Sequence, residues 1–382
     1  MASSTTTPMF PAIAQLCYGN ACPRCGYCTD WYYDGNIKDD MERCERGESK
    51  DINDAKHWHR RPNGACRHSH PYYGHNGSYF WQAWLVQMYY RYATYQAGLT
   101  KHTLYIDNSG VAASFSYTEK GSRTLGKPTI VFIHGVSSNK EAWIPIIKNI
   151  PADHHCITVD LPGHGETVGF SEDMYSIDKF IEKLKLFFDK MKLTEPMCII
   201  GASMGASIVC LFAAKYPEYV CMICLLAPIA NEASETDLIR QLRAGVYNTL
   251  LPETPEEFHN MIHTLTMKRP DFPSPFVNGF LHLNRLLLKE HKKIIASLFE
   301  HDYPQIERHY AKLRQLNCPA LILWGRQDQV YAFTGAEYFR NLIPNSECLI
   351  LEDCGHIMGI DKPDDTTRAI LTFCDSHVKL LH

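Results

Sequence analysis

From about residue 103 the chain alternates short β-branched apolar runs with longer amphipathic ones. That alternation restricts it to a βα succession around a mostly parallel sheet, because parallel neighbours need a helical crossover between them. The pattern predicts eight strands, at 103–106, 113–117, 129–133, 156–160, 197–201, 220–226, 320–324 and 347–351. Helices are expected at 141–149, 177–191, 204–215, 335–342 and 364–377. One interval breaks the rule: residues 231–316 read as successive helices with no strand, which predicts a helical lid inserted after strand 6. Two capping signatures lie in it, Ser234-Glu235-Thr236-Asp237 and Thr254-Pro255-Glu256-Glu257, the second with proline at the first helical position.

Chemistry concentrates at the strand ends. Cys198-Ile199-Ile200-Gly201-Ala202-Ser203-Met204-Gly205-Ala206-Ser207 reads as a buried strand, a G-x-S-x-G turn and a helix that stops at Tyr216-Pro217. So tight a reversal strains the central residue, so the positions two away must lack bulk, and both are glycine. The helix start aims its dipole at the serine, where an oxyanion would form. Val131-Phe132-Ile133-His134-Gly135 is a strand ending in His-Gly. In the α/β-hydrolase fold this loop supplies one oxyanion donor and the residue after the nucleophile the other, which predicts the amides of Val136 and Met204 and makes His134 structural.

Leu321-Ile322-Leu323-Trp324-Gly325-Arg326-Gln327-Asp328 presents an aspartate after a strand, and Glu352-Asp353-Cys354-Gly355-His356 follows the next one. The order Ser203, Asp328, His356 is the order this fold requires of its triad. His356 is the expected general base and Asp328 the residue that fixes its tautomer. Glu232 is the rival acid, while Asp353 is too close in sequence to reach behind the imidazole. A serine nucleophile implies acyl transfer to water through an acyl-enzyme, with no cofactor.

Composition changes near residue 77. Before it the chain is rich in Cys, His, Asp and Gly and lacks apolar periodicity, so residues 1–76 are expected to be a separate extension or a tail. Cys22, Cys25, Cys28, Cys44, His57, His59, Cys66, His68 and His70 can supply a structural tetrahedral zinc site, although their spacing matches no standard finger. A loosely ordered or disulfide-linked tail is the alternative. Fifteen cysteines, several inside apolar runs such as Cys210, Cys221 and Cys224, suit buried thiols more than a disulfide framework. No signal-peptide core or myristoylation glycine is found near Met1, which favours a reducing, cytosol-facing setting. A net charge of -4 gives no basis for a nucleic-acid partner.

Residues 77–99 are aromatic, with Arg91 as the one charge. On a helical wheel Trp81, Trp84, Leu85, Met88, Tyr92, Tyr95 and Leu99 form one stripe, with Gln87, Arg91 and Thr94 to one side. Three glutamines and an arginine suit a membrane interface better than a span, and the alternative is a helix packed on the hydrolase body. The hydrolase core is then 100–230 with 317–382, and the lid 231–316.

VFIHG, VDLPGHG at 159–165, GASMG, WGRQDQV and CGH together resemble the α/β-hydrolase domain monoacylglycerol lipases, from about Leu85 to the C-terminus. The resemblance implies hydrolysis of monoacylglycerols and related lysophospholipids at a membrane, and places the triad on the same three residues. Two departures stand out: the aromatic 77–99 segment replaces an apolar anchor, and the Cys/His-rich extension is additional. Ala206 stands where a third glycine is common. Phe276, Phe280 and Leu281 in the lid are apolar enough to bind an acyl chain, although core packing would use the same residues. A single-chain lipid ester is therefore expected over a triacylglycerol, at a membrane rather than free in the cytoplasm. The alternatives are a carbon–carbon bond hydrolase, a proline iminopeptidase, or a lipase activator that has lost its serine, and Ser203 argues against the last.

Overall fold

The computed structural model describes residues 77–108, 111–170 and 175–378. Their strands are β1 (Thr100–Asn108), β2 (Val111–Lys120), β3 (Ile130–Ile133), β4 (Cys156–Val159), β5 (Met197–Ala202), β6 (Val220–Leu226), β7 (Ala320–Gly325) and β8 (Ser346–Leu351). They form one eight-stranded sheet in the order 1-2-4-3-5-6-7-8. β1 pairs antiparallel with β2 and β2 with β4, and every later pairing is parallel. The expected α/β-hydrolase sheet is therefore present. β1 and β2 run longer than the alternation suggested: at the edge strand β1 a polar residue such as Lys101 can face solvent, and β2 gains the buried Thr118 and Lys120, which break its apolar run.

The helices are α1 (Gly77–Gln96), α2 (Ile144–Ile147), α3 (Ile177–Lys190), α4 (Met204–Lys215), α5 (Asp237–Arg243), α6 (Pro255–Leu265), α7 (Ser274–Ser297), α8 (Ile306–Tyr310), α9 (Thr334–Leu342), α10 (Met358–Asp361) and α11 (Pro363–Val378). The helix expected at 141–149 is instead a 3-10 turn at Lys140–Trp143 followed by the single turn α2. The buried Lys120 ammonium donates to the carbonyls of Ile147 and Ile150, closing that short element where a longer helix would have satisfied them itself. β3 and β4 are buried throughout, as continuous apolar runs covered on both faces require. Phe188 of α3 meets Phe212 of α4 edge-on at 5.3 Å, and the Thr367 hydroxyl of α11 bonds the Ile146 carbonyl of α2. The described cysteines are free thiols.

Among the described residues, 231–316 contain no strand of the sheet, in line with an inserted helical lid. Thr254 caps α6 by accepting from the Glu257 amide at 3.2 Å, and Glu257 reaches back to the Glu253 amide. The other capping signature is not used as expected. The Thr236 hydroxyl turns away from α5 and donates to the carbonyls of Gln329 and Val330, fastening the start of the lid to the loop after β7.

α1 packs on the lid. A Cβ on Gly279 of α7 would lie 2.1 Å from the Gln82 carbonyl oxygen, so the two backbones cross in contact, and Val86 is fully buried at the crossing. Tyr89 meets Phe276 edge-on at 5.6 Å. Trp81, Trp84, Tyr92 and Tyr95 face outward, between 45% and 76% exposed, and Arg91 is exposed beside them. Leu99 leaves the expected stripe: it lies past the end of the helix and is buried. No helix among the described residues is long and apolar enough to cross a membrane.

Lys140 and Asp160 form a fully buried ion pair just past β4. The Lys140 ammonium sits 2.8 Å from Asp160, 2.9 Å from Glu141 and 2.8 Å from Glu166, and its amide donates to Asp160 at 2.7 Å. Burial opposes the charge on Lys140, but Asp160 and then Glu141 and Glu166 outweigh it and hold the ammonium protonated. Burial likewise pushes Glu166 up, yet Lys140 and Lys101 together bring its carboxyl from an ordinary 4.5 down to about 2. A depressed carboxyl stabilises the fold above its unfolded value, and that contribution is lost as pH falls from about 4.5 towards 2. Lys140→Met should cost about 3–5 kcal/mol in urea unfolding, since it strands Asp160 without its cation. The same variant should flatten the drop in thermal midpoint below pH 4.5.

Candidate active site

β5 ends at Ala202 and α4 begins at Met204, so Ser203 makes the reversal alone, at φ 54° and ψ -123°. A non-glycine residue held there costs about 1–3 kcal/mol and persists only where its surroundings enforce it. The flanking glycines show how. A Cβ on Gly201 would lie 2.4 Å from the Gly205 oxygen, and one on Gly205 would lie 2.4 Å from the carbonyl oxygens of both Ile133 and His134. The first glycine lets α4 start against the strand it leaves, and the second lets it abut the end of β3. The Ser203 amide is fixed by the Leu226 carbonyl at 2.8 Å.

Gly135 is pressed against the serine: a Cβ there would lie 3.0 Å from Ser203 Cβ and 3.2 Å from the Ala202 oxygen. Met204, the first residue of α4, has an amide with no acceptor within its own helix, and Val136 directly follows the glycine that touches Ser203. His134 does more than fill space. Its Nε2 accepts from the Leu161 amide at 3.0 Å, so Nδ1 carries the hydrogen and donates to the Gly135 carbonyl at 2.7 Å. Burial holds this imidazole at about 4, which keeps it neutral near pH 7. Because the Gly135 carbonyl and the Val136 N–H share one planar peptide, His134 sets the direction of that N–H. The sequence marks the position only as a histidine before glycine.

Asp328 follows β7 and its carboxyl is fully buried. Oδ1 accepts from the amides of Val330 and Tyr331 at 2.7 and 3.3 Å, and Oδ2 from His356 Nδ1 at 2.8 Å. A carboxylate only accepts, so the His356 hydrogen lies on Nδ1 and Nε2 presents a lone pair. The two turns are tied directly: Gln327 donates its amide to the Cys354 carbonyl at 2.9 Å and accepts the Cys354 amide on Oε1 at 3.0 Å. Gln327 is a residue the motif reading passed over. The rival Glu232 is 81% exposed beside Arg243, and Asp353 is exposed on a left-handed turn at φ 51°.

Residues 128–363 match the alpha/beta hydrolase fold family. The chain belongs to the alpha/beta hydrolase family. This α/β hydrolase is 29% identical to monoacylglycerol lipase ABHD6 of Homo sapiens, over 78% of the chain and 88% of the relative. It is 26% identical to lipase 1 of Psychrobacter immobilis, over 65% of the chain and 77% of that lipase. Among solved structures, a bacterial membrane phospholipase A superposes with a TM-score of 0.70 at 26% identity, covering 78% of this chain and 93% of that one.

The lid residues expected to bind an acyl chain are placed in an aromatic cluster of the hydrolase. Phe280 meets Phe258 at 5.1 Å, Phe276 stacks on Phe272 at 5.2 Å and reaches Tyr89 of α1, and Leu281 is buried in the core. The nine cysteine and histidine positions from Cys22 to His70 lie outside the described residues. Among the described residues no cluster of His, Cys, Asp or Glu is arranged to hold a metal.

The contact between Gly135 and Ser203 is testable. Gly135→Ala should push the loop back by a few tenths of an ångström and lower kcat about tenfold, since ångström-scale misplacement costs about 100-fold. The thermal midpoint should stay within a few degrees of the parent, measured by calorimetry beside ester hydrolysis.

Proposed function

We propose that this ester hydrolase works through an acyl-serine at Ser203 and that its substrate is a single-chain lipid ester of the monoacylglycerol class, met at a membrane surface. The observation that carries the reading is the hydrogen bond by which Asp328 fixes the His356 proton on Nδ1, together with the strained turn at Ser203. Ser203 Oγ attacks the ester carbonyl while His356 Nε2 takes its proton. The carbonyl electrons move onto oxygen, which the Val136 and Met204 amides receive. Collapse expels the alcohol, glycerol in the case of a monoacylglycerol, as His356 returns the proton to it. Water then adds to the acyl-serine by the same route, releasing the fatty acid and restoring Ser203.

The class of substrate rests on three supports. The sequence relatives are named as a monoacylglycerol lipase and a lipase. The lid carries a connected set of aromatic side chains suited to alkyl chains. α1 exposes tryptophan and tyrosine, the residues that favour the interfacial depth of a bilayer, along a helix held flat against the lid. Free thiols throughout the described part fit a cytosol-facing surface. Structural zinc in the extension stays a proposal that metal analysis of the purified full chain would decide.

Ser203→Ala should abolish hydrolysis and fluorophosphonate labelling without unfolding the protein, and Asp328→Asn should lower kcat about 10⁴-fold. On a panel of acetyl esters, monoacylglycerols, lysophospholipids, triacylglycerols and aminoacyl amides, rates should climb by up to about fourfold per methylene, the equivalent of about 0.8 kcal/mol. Preference for acetyl esters or amides would refute the lipid assignment and leave the serine chemistry standing. Replacing Trp81 and Trp84 together by Ser should weaken vesicle co-sedimentation by about tenfold or more, given about 1.5–3 kcal/mol for each buried large apolar side chain. Hydrolysis of a soluble short-chain ester should be unchanged in that variant.

A further inference from the structure

The lid holds the catalytic histidine from both sides. Ile357, which follows His356, donates its amide to the Leu265 carbonyl at the end of α6, 3.0 Å away. Gly355, which precedes it, donates to Oδ2 of Asp361 at 2.8 Å. Asp361 is 1% exposed, and the same carboxylate accepts the amide of Met267 on both oxygens, at 3.0 and 2.9 Å, and that of Lys268 at 2.9 Å. Residues 265–268 are the exit from lid helix α6. A Cβ at Gly355 would lie 2.8 Å from the Leu265 oxygen, so the turn and the lid are in backbone contact.

A buried carboxylate with three backbone donors and, among the described residues, no ion-pair partner is costly unless every donor stays in place. Capping the last turn of α10 does not require it, since the lid amides come from residues more than ninety positions earlier. We propose that Asp361 is a positioning residue for His356: it couples the histidine turn to the lid, so that the general base is correctly placed only when the α6 exit is docked. The proposal rests on His356 being the base. It adds that the lid, besides covering the site, completes the alignment of His356 with Asp328. Asp361→Asn keeps the shape but turns an NH₂ towards amides that are themselves donors, which breaks the clasp on one side.

The test is Asp361→Asn in the full chain, with active sites counted by fluorophosphonate titration. We expect kcat per titrated site to fall about 10- to 100-fold. KM should change less than about threefold, and the acid limb of kcat/KM should move to lower pH as the imidazole loses its alignment and a nearby negative charge. A purely structural role would lower the number of titratable sites and leave kcat per site and the acid limb where they were, which would overturn the proposal. Hydrogen exchange on the unmodified protein supplies a measurement that no folding defect can confuse. The Gly355 amide lies in no helix or strand, yet it should exchange at least about 100-fold slower than a free amide, together with Met267 and Lys268. Free exchange at those three would equally overturn the clasp. Failure of the unmodified protein to label at Ser203 would instead strike the nucleophile assignment and leave exchange to judge the clasp.

Discussion

A backbone that turns from β5 into α4 through one residue leaves little freedom to anything around it. Ser203 at φ 54° is tolerable only because α4 can begin in contact with Gly201 and can press through Gly205 on the carbonyls that end β3. Those carbonyls belong to Ile133 and His134, so the reversal also fixes where the loop proposed to receive the oxyanion starts. Gly135 then meets the serine, and the His134 bond to its carbonyl orients the next amide. The proposed nucleophile and the amides proposed to receive the oxyanion thus belong to one packed unit. The strain energy is small against the burial of the β3 and β5 runs beside it, which is why the turn can keep an unfavourable dihedral.

The lid enters this unit at several points. Thr236 ties its first turn to the loop that carries Asp328, and Ser137, in the loop after β3, donates to the Leu250 carbonyl at 3.4 Å. Tyr175 bonds Glu290 of α7 at 2.9 Å, and the Ser297 hydroxyl bonds the Tyr175 carbonyl. Most of these bonds join one side chain to a backbone carbonyl, with Thr236, Glu290 and Ser297 as the lid's own polar side chains, so they specify a position for the lid through a few residues. Hydrophobic contact supplies the bulk of the attachment, and the polar bonds choose among the ways of docking an apolar helix.

Buried strands with helices on both faces read as uninterrupted apolar runs, which is why β3 to β7 were legible to within a residue or so. β8 was equally legible, and the three residues proposed as the triad were easy to single out because each follows a strand end. What sequence could not supply was the set of bonds between side chains and remote amides. Asp361 looks like an ordinary acidic residue two positions before a proline, and its partners Met267 and Lys268 are apolar or charged residues that contribute only their N–H groups. The signature beginning at Ser234 did not cap α5: the Ser234 hydroxyl bonds Asn231, and Thr236, which precedes the helix, turns its hydroxyl to the carbonyls of Gln329 and Val330. For α1 the wheel identified the outward aromatics but misassigned Leu99, since periodicity cannot say where a helix ends and the chain turns into the core.

The inner face of α1 explains why the segment is aromatic without being a span. Its crossing with α7 requires small groups, and Gly279 with Ala83 and Val86 provide them, while Gln82 is buried there by its backbone contact and not by any apolar preference. A helix fastened in this way cannot also present all its faces to lipid, so its apolar surface is confined to the outer ridge of Trp81, Trp84, Tyr92 and Tyr95. The inner contacts continue inward: Tyr89 meets Phe276 of α7, Phe276 stacks on Phe272, Phe272 packs on Phe258 of α6, and the α6 exit holds Gly355 and Ile357 around His356. The ridge proposed to meet the bilayer and the turn carrying the proposed general base are therefore two ends of one contiguous packed path. Any force that shifts α1 against the body is felt first by the lid, and through the lid by the histidine.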